Sequence, residues 1–128
     1  MKIEVSNGEI IDKYTILLIK SEQIRDPEKV KLVLAEAKVL TPYVEQMEAQ
    51  WPAITPLLGQ LMRVNESLWD TEDKIRQKDK DQEFDAEFID LARQVYRTND
   101  ARAHLKSLIN SCTGSDIREV KSYVEYVK

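Results

Sequence analysis

The stretch that decides the fold is VSNGEIIDKYTILLIK, residues 5–20. It contains Ser6 and Glu9 in the S-x-x-E spacing of a capping box, in which two side chains satisfy free backbone N–H groups where a helix begins. The spacing predicts a first helix from about Asn7 to Arg25. Asp26-Pro27-Glu28 then supplies the cap, first-turn proline and acid of a second helix, and so short a connection makes the two helices antiparallel.

The apolar residues of the first helix occupy two opposite faces. At about 100° per residue, Ile16 and Ile19 lie almost opposite the main apolar face, and they flank Asp12. The main face consists of Ile10, Tyr14, Leu17, Leu18 and Ile24. Leaving both isoleucines in water forgoes about 1.5–3 kcal/mol each. A neighbouring helix or a second subunit must therefore cover this side, and we expect a homodimer through Ile16 and Ile19.

The composition is typical of one helical domain. Charged residues make up 33% and hydrophobic residues 42% of 128 residues, with 3 Gly and 4 Pro. The net charge of -4 lacks the basic field that drives binding to nucleic acid or anionic membranes. One cysteine makes neither an internal disulfide nor a multi-cysteine metal site. No segment matches a secretory signal or a membrane span, so we expect a cytoplasmic protein. We also expect no metal and no cofactor.

Prolines and apolar spacing divide the rest of the chain. The apolar register of the second helix continues past Pro42, which favours one kinked helix over a new helix starting at Thr41-Pro42. Trp51-Pro52 and Thr55-Pro56 are predicted stops. The third helix is predicted over 57–78 and the fourth over 85–112, with Gly114 as its C-terminal stop.

The tail, residues 115–128, carries apolar residues at helical spacing. These residues are Ile117, Val120, Val124 and Val127. They predict a short fifth helix, with a strand-like end of the chain as the alternative. The predicted fold is therefore all-α, an antiparallel bundle of four long helices plus a short C-terminal helix, forming a single domain over 1–128.

Five polar residues lie on faces that are otherwise apolar. Asn65 and Glu72 interrupt the apolar stripe of the third helix. Asn99 and Arg102 interrupt the apolar stripe of the fourth helix, and Asp12 lies between apolar residues of the first. A buried amide or charge without a partner costs several kcal/mol, so each should be bonded. A hairpin of the third and fourth helices puts Glu72 too far from Arg102, which makes Asp12 the predicted partner of Arg102.

This polar seam has two interpretations. The first is a closed network that fixes the register of the helices. The second is a small pocket between helices, in which Arg102 receives an anionic group and the two asparagines orient it. An enzyme needs these side chains to converge on a cavity open to solvent, whereas a structural network needs them to satisfy one another.

Other candidate sites rest on weaker patterns. Arg93, Arg97 and His104 share the outer side of the fourth helix and could hold a phosphate or an acidic partner. Trp51 and Trp69 are interpreted as core or interface aromatics.

Two pairs of carboxylates resemble a metal-binding pattern. Glu45 with Glu48 and Asp70 with Asp73 are similar to the magnesium-binding helices of all-α nucleotide pyrophosphohydrolases. Asp70 and Asp73 point away from the apolar stripe, however, so the four groups would not converge on one ion, and we predict no metal site.

The motifs GEIIDKYTIL, LWDTEDKIR and YRTNDARA resemble those of a family of uncharacterised bacterial and phage proteins of about this length. The resemblance covers nearly the whole chain and implies a compact helical protein. The polar-seam residues match family positions, whereas Leu18 and Val120 stand where the family pattern often has glutamate. The first helix also resembles that of the all-helical chorismate mutases, although their set of active-site cations is missing here.

We therefore expect a non-catalytic helical interaction or small-ligand-binding module that forms a homodimer. Its expected partners are a second copy, a small anionic ligand or another protein, but neither nucleic acid nor a membrane. The alternative is a small enzyme acting on an anionic metabolite in the polar pocket, similar to chorismate mutases or nucleotide pyrophosphohydrolases. In that enzyme Arg102 would bind the anion, and Asp12 or Glu72 would transfer a proton.

Overall fold

The computed structural model describes residues 1–127, and all of the regular structure in that range is helical. The four helices are α1 (Asn7–Gln23), α2 (Pro27–Gln50), α3 (Ile54–Lys80) and α4 (Ala86–Thr113). None of the helices in the described range is both long enough and apolar enough to cross a membrane.

Helix α1 lies in the middle of the bundle, in contact with α2 on one side and with α3 and α4 on the other. The backbone N–H of Gly8 donates to Asn110 Oδ1, and the side chain of Arg102 donates to Asp12, so α1 and α4 run antiparallel. Ile19 is buried within this single chain. The prediction that both sides of the first helix need cover is confirmed, and neighbouring helices of the same chain supply that cover.

Gly8 allows the close approach of α1 and α4. A Cβ atom at this position would lie 2.5 Å from the backbone oxygen of Lys106 and 2.9 Å from Asn110 Oδ1. Any larger residue would force the two helices apart and stretch the 2.7 Å hydrogen bond from the Gly8 backbone to Asn110. The first turn of α1 is therefore positioned by the last turns of α4.

The helix ends follow the capping residues. The side chains of Ser6, Asp26 and Asp85 each accept a backbone N–H in the first turn of α1, α2 and α4, as expected of N-caps. Gly114 ends α4 in the left-handed conformation at φ 65°. The predicted starts of these three helices and the predicted stop of the fourth are confirmed.

The prolines have less effect than the sequence suggested. Helix α2 continues through Pro42, which confirms the preference for one long helix. Helix α3 begins at Ile54, so the predicted stop at Thr55-Pro56 is wrong. Pro56 lies in the first turn of α3, where a backbone N–H has no partner within the helix and its loss costs little.

The predicted fifth helix is not formed in the described part of the chain. Residues 115–127 contain no helix, and Lys128 lies outside the described residues. Val120 and Val124 are fully exposed, so no neighbouring element covers the apolar face of such a helix. A short helix without that cover is marginal in water. The tail is instead held by polar contacts, of which Glu119 with Lys106 and Tyr126 with Asp100 link it to α4.

The apolar core lies where α1 meets the other three helices. Its buried members come from all four helices: Ile11, Val44, Met47, Ile54, Leu61, Leu105 and Ile109. This core holds α1 in place beside the polar seam described next.

Candidate functional site

The centre of the polar seam is an ion pair between α1 and α4. Arg102 Nε donates to Asp12 Oδ1 at 2.8 Å, and Arg102 Nη2 donates to Asp12 Oδ2 at 2.6 Å. This two-point contact is the strongest geometry that a guanidinium and a carboxylate form. The hydrogen bond to Asp12 raises the pKa of Arg102 above its usual value. Asp12 is only 1% exposed, so Arg102 and not water contacts its carboxylate, and the predicted pairing is confirmed.

Asn65 of α3 completes the seam. Its Nδ2 donates to Asp12 Oδ1 at 3.0 Å and to Thr15 Oγ1 at 2.9 Å. The Thr15 hydroxyl donates to the backbone oxygen of Asp12, so its oxygen accepts from Asn65. Both neighbours of the Asn65 amide are therefore acceptors, and only the Nδ2 end can face them.

This orientation leaves the other end of the Asn65 side chain unsatisfied. Asn65 is 4% exposed, and its Oδ1 is buried without a hydrogen-bond partner among residues 1–127. An unsatisfied buried acceptor costs about 1–3 kcal/mol, so proteins rarely keep one without a use. The seam thus contains one buried acceptor that no donor within residues 1–127 satisfies.

A cavity of about 390 Å³ lies beside this seam, and both Asn65 and Arg102 line it. The apolar lining comes from α1 and α3: Ile16, Ile19, Leu68 and Trp69. The charged lining is balanced, with two acidic and two basic side chains: Glu72, Asp73, Arg76 and Arg102. The volume lies within the range of small-molecule pockets, at its lower end.

The cations at the cavity are already matched by anions. Arg102 is bound to Asp12, and Arg76 Nε lies 3.6 Å from Glu72 Oε2. Arg102 Nη1 has only a long 3.4 Å contact to Asn99 Oδ1, so its N–H groups keep some capacity to donate. Within residues 1–127, no three His, Cys, Asp or Glu side chains cluster closely enough to hold a metal ion.

The five predicted seam residues do not all meet at one point. Asp12, Asn65 and Arg102 are joined by hydrogen bonds. Glu72 lines the cavity but pairs with Arg76, in agreement with the prediction that it lies too far from Arg102. Asn99 is half-buried and faces a different groove, of about 1020 Å³, between α4 and the tail.

The predicted dimer residues lie at the cavity. Ile16 is half-buried, Ile19 is buried, and both line the cavity wall. Neighbouring helices of the same chain already cover most of the apolar surface of Ile16 and Ile19, which had led to the prediction of a second subunit.

The predicted surface patch is divided between two places. Arg97 lies over the ring of Tyr126, with its guanidinium carbon 5.8 Å from the ring centre. His104 instead lines a separate hollow of about 220 Å³, together with Arg118 and Lys121. Arg93 is exposed on α4 and lines neither hollow. Different parts of the tail contact α4 at these two places, Tyr126 beside Arg97, and Arg118 and Lys121 beside His104.

Sequence reasoning missed several contributors to this region. Thr15 is fully buried and follows Asp12 by one helical turn, and this spacing was the signal for its role. Trp69 was interpreted only as a core or interface aromatic, but it lines the cavity. The pairing of Lys106 with both Glu9 and Glu119 joins α1, α4 and the tail, and no local pattern indicates it.

The fold and this site define a class: an all-helical domain whose central helix is locked by a buried ion pair beside a small, mainly apolar cavity. The chain belongs to a family of unknown function (DUF6165), whose model matches residues 1–128. No curated protein and no solved structure matches the chain significantly.

Proposed function

We propose that this protein is a non-catalytic small-ligand-binding module whose site is the cavity between α1, α3 and α4. The observation that supports the proposal is the buried Oδ1 of Asn65, a residue of the cavity wall, which has no hydrogen-bond partner in the part of the chain that the structure describes. Its amide is held in one orientation by Asp12 and Thr15, so the acceptor is rigid before any ligand arrives. A rigid acceptor lowers the entropy cost of binding.

The lining indicates the chemical class of the ligand. Trp69, Leu68 and the two isoleucines favour an apolar, planar body, since aromatic side chains stack well against such groups. Asn65 requires an N–H or O–H donor on that body. Because Arg102 is paired with Asp12 and Arg76 with Glu72, neither cation of the wall is free to bind an anion, and the site favours a neutral or zwitterionic molecule over the small anion expected from the sequence.

The ion pair argues against the enzyme alternative. Both carboxylate oxygens of Asp12 accept hydrogen bonds from Arg102, and Asp12 is almost completely buried. A general base must reach the proton that it removes, and Asp12 in this arrangement does not. Glu72 reaches the cavity, but it is paired with Arg76, and the lining residues include no Ser, Cys, His or Lys side chain that could act as a nucleophile.

The resemblance to bacterial and phage proteins supports a bacterial origin, and a site of action in the cytoplasm is part of the same proposal. A homodimer through Ile16 and Ile19 is not part of this proposal, because both residues are used in the cavity wall.

The proposal is tested by nuclear magnetic resonance with three probes of similar size: benzamide, L-phenylalanine and benzoate. The side-chain amide of Asn65 and the indole N–H of Trp69 report directly on the cavity. We expect millimolar benzamide or phenylalanine to shift both signals in a saturable manner, and benzoate to shift them less, since it has no donor and carries a net charge.

A matched pair of variants tests the location. Ile16→Phe fills the cavity and should weaken binding at least tenfold, whereas Ile89→Phe makes the same change at an exposed position of α4 and should leave binding unchanged. Equal binding to both variants, or no response of Asn65 to any of the three probes, would refute the assignment of this cavity.

A further inference from the structure

We infer that the outer face of α2 is a self-association surface, on which a second copy of the chain packs antiparallel through its own α2. This surface, here called the α2 face, consists of Leu32, Ala35, Val39 and Tyr43. It lies on the side of α2 away from the core and is separate from the cavity proposed as the ligand site.

The α2 face is an apolar stripe without cover. Leu32, Val39 and Tyr43 are 73%, 64% and 57% exposed. With Ala35 they follow spacings of three and four residues, which place them on one side of the helix. Buried Ala37, Val44 and Met47 occupy the opposite side, where α2 packs on the bundle. Large side chains aligned in this way are characteristic of interaction sites rather than of scattered surface residues.

The stripe is self-complementary under a two-fold rotation. A two-fold axis perpendicular to α2, between Ala35 and Val39, places Leu32 against Tyr43 of the partner subunit and Ala35 against Val39 of the partner subunit. Each large side chain then meets a residue at the other end of the stripe, and each contact occurs twice. This reciprocity is what a two-fold interface between identical subunits requires.

The charges beside the stripe agree with the same register. Lys31 and Glu45 are two residues of one flank, separated by four helical turns. The axis that matches the apolar residues brings Lys31 opposite Glu45 of the partner subunit on both sides of the interface. Within residues 1–127 neither Lys31 nor Glu45 forms an ion pair, so both are available. Lys38 lies near its own copy, but exposed like charges are screened by salt and repel weakly.

The surface is small for a permanent complex. Leu32 to Tyr43 spans about 17 Å of helix, at a rise of about 1.5 Å per residue. One helix face of this length buries less than the roughly 800 Å² per partner that is typical of stable complexes. We therefore expect a reversible dimer whose dissociation constant lies in the micromolar range.

Sedimentation velocity from about 10 μM to 1 mM tests the inference on the whole chain. The wild type should shift from monomer to dimer across this range. Val39→Glu should remain monomeric, because it puts two carboxylates at the axis, whereas Ile89→Glu, an equal change at an exposed position of α4, should dimerise normally. Circular dichroism checks that both variants keep their helices, as expected for exposed positions.

Charge reversal tests the register. Lys31→Glu or Glu45→Lys alone should weaken the dimer about fivefold to tenfold at low salt, and the two changes together should return it to within about threefold of wild type. A wild type that stays monomeric at 1 mM would overturn the inference. So would a Val39→Glu variant that dimerises like wild type, or a double charge reversal that fails to restore association.

Discussion

Arg102→Ala should destabilise the protein by stranding a buried charge. Asp12 is 1% exposed and accepts two hydrogen bonds from Arg102, so the substitution leaves its carboxylate with Asn65 Nδ2 as the remaining side-chain donor. Breaking a buried ion pair from one side typically costs about 3–5 kcal/mol. The Arg102 side chain is 26% exposed, so water can enter the vacated space and reduce the cost to about 3 kcal/mol.

This loss converts to a clear thermal shift. For a chain of this size, each kcal/mol changes Tm by about 3–4 °C, so Arg102→Ala should lower Tm by about 10 °C. Differential scanning calorimetry measures the shift, with Arg93→Ala as the control. Arg93 is exposed on the same helix, and its loss should change stability by no more than about 0.5 kcal/mol.

A double variant separates the stranded charge from lost packing. Asp12→Leu together with Arg102→Met removes both charges and keeps most of the volume, and such replacements are often neutral or stabilising. Asn65 loses one acceptor, which costs about 1–2 kcal/mol, so the double variant should melt well above Arg102→Ala. The reasoning is refuted if Arg102→Ala melts within about 2 °C of wild type, or if the double variant melts below Arg102→Ala.

Two further predictions concern the contacts of α1 and the tail with α4. Gly8→Ala should lower the free energy of unfolding by more than about 1 kcal/mol, because its Cβ would meet the Lys106 backbone at 2.5 Å; Gly59→Ala, whose nearest contact is at 3.8 Å, should raise it by about 0.5–1 kcal/mol. Chemical denaturation of both variants compares them, and equal effects would contradict the argument. The hydrogen bond from Lys106 lowers the pKa of Glu119, so its contribution to holding the tail is complete above the pKa of the unfolded side chain, about 4.3, and is lost as the pH falls through the lower folded value. The backbone heteronuclear NOE of residues 115–127, which reports how firmly the tail is held, should therefore fall below about pH 4, and Glu119→Gln should show the lower value already at neutral pH; an unchanged NOE in that variant would mean that other contacts hold the tail.

The helix ends were predictable because their causes are local. Ser6, Asp26 and Asp85 cap the backbone within the next three residues, and Gly114 ends α4 through its own φ angle. The failures came where a local rule competes with packing. Thr55-Pro56 joined the first turn of α3, and the tail found no apolar partner for the helix that its spacing predicted.

The candidate site was predictable only in part. Asp12 and Arg102 interrupt apolar faces, and the length of the hairpin between α3 and α4 excluded Glu72, so their pairing followed from register. The vacant acceptor of Asn65 did not follow, because it depends on which groups surround each end of one amide. The separation of Asn99 from the cavity depends equally on side-chain direction across two helices.

By itself, the sequence determined an all-helical chain, most of its helix ends, and the need of α1 for cover on both sides, because capping and apolar spacing act within a few residues. Only the tertiary structure decided what supplies that cover. The narrow contact at Gly8 brings α1 against α4 of the same chain, beside the pair of Asp12 with Arg102 that the register predicted, and the apolar stripe left exposed lies on α2 instead. Contacts between residues distant along the chain depend on how whole helices pack, and no local pattern encodes that choice.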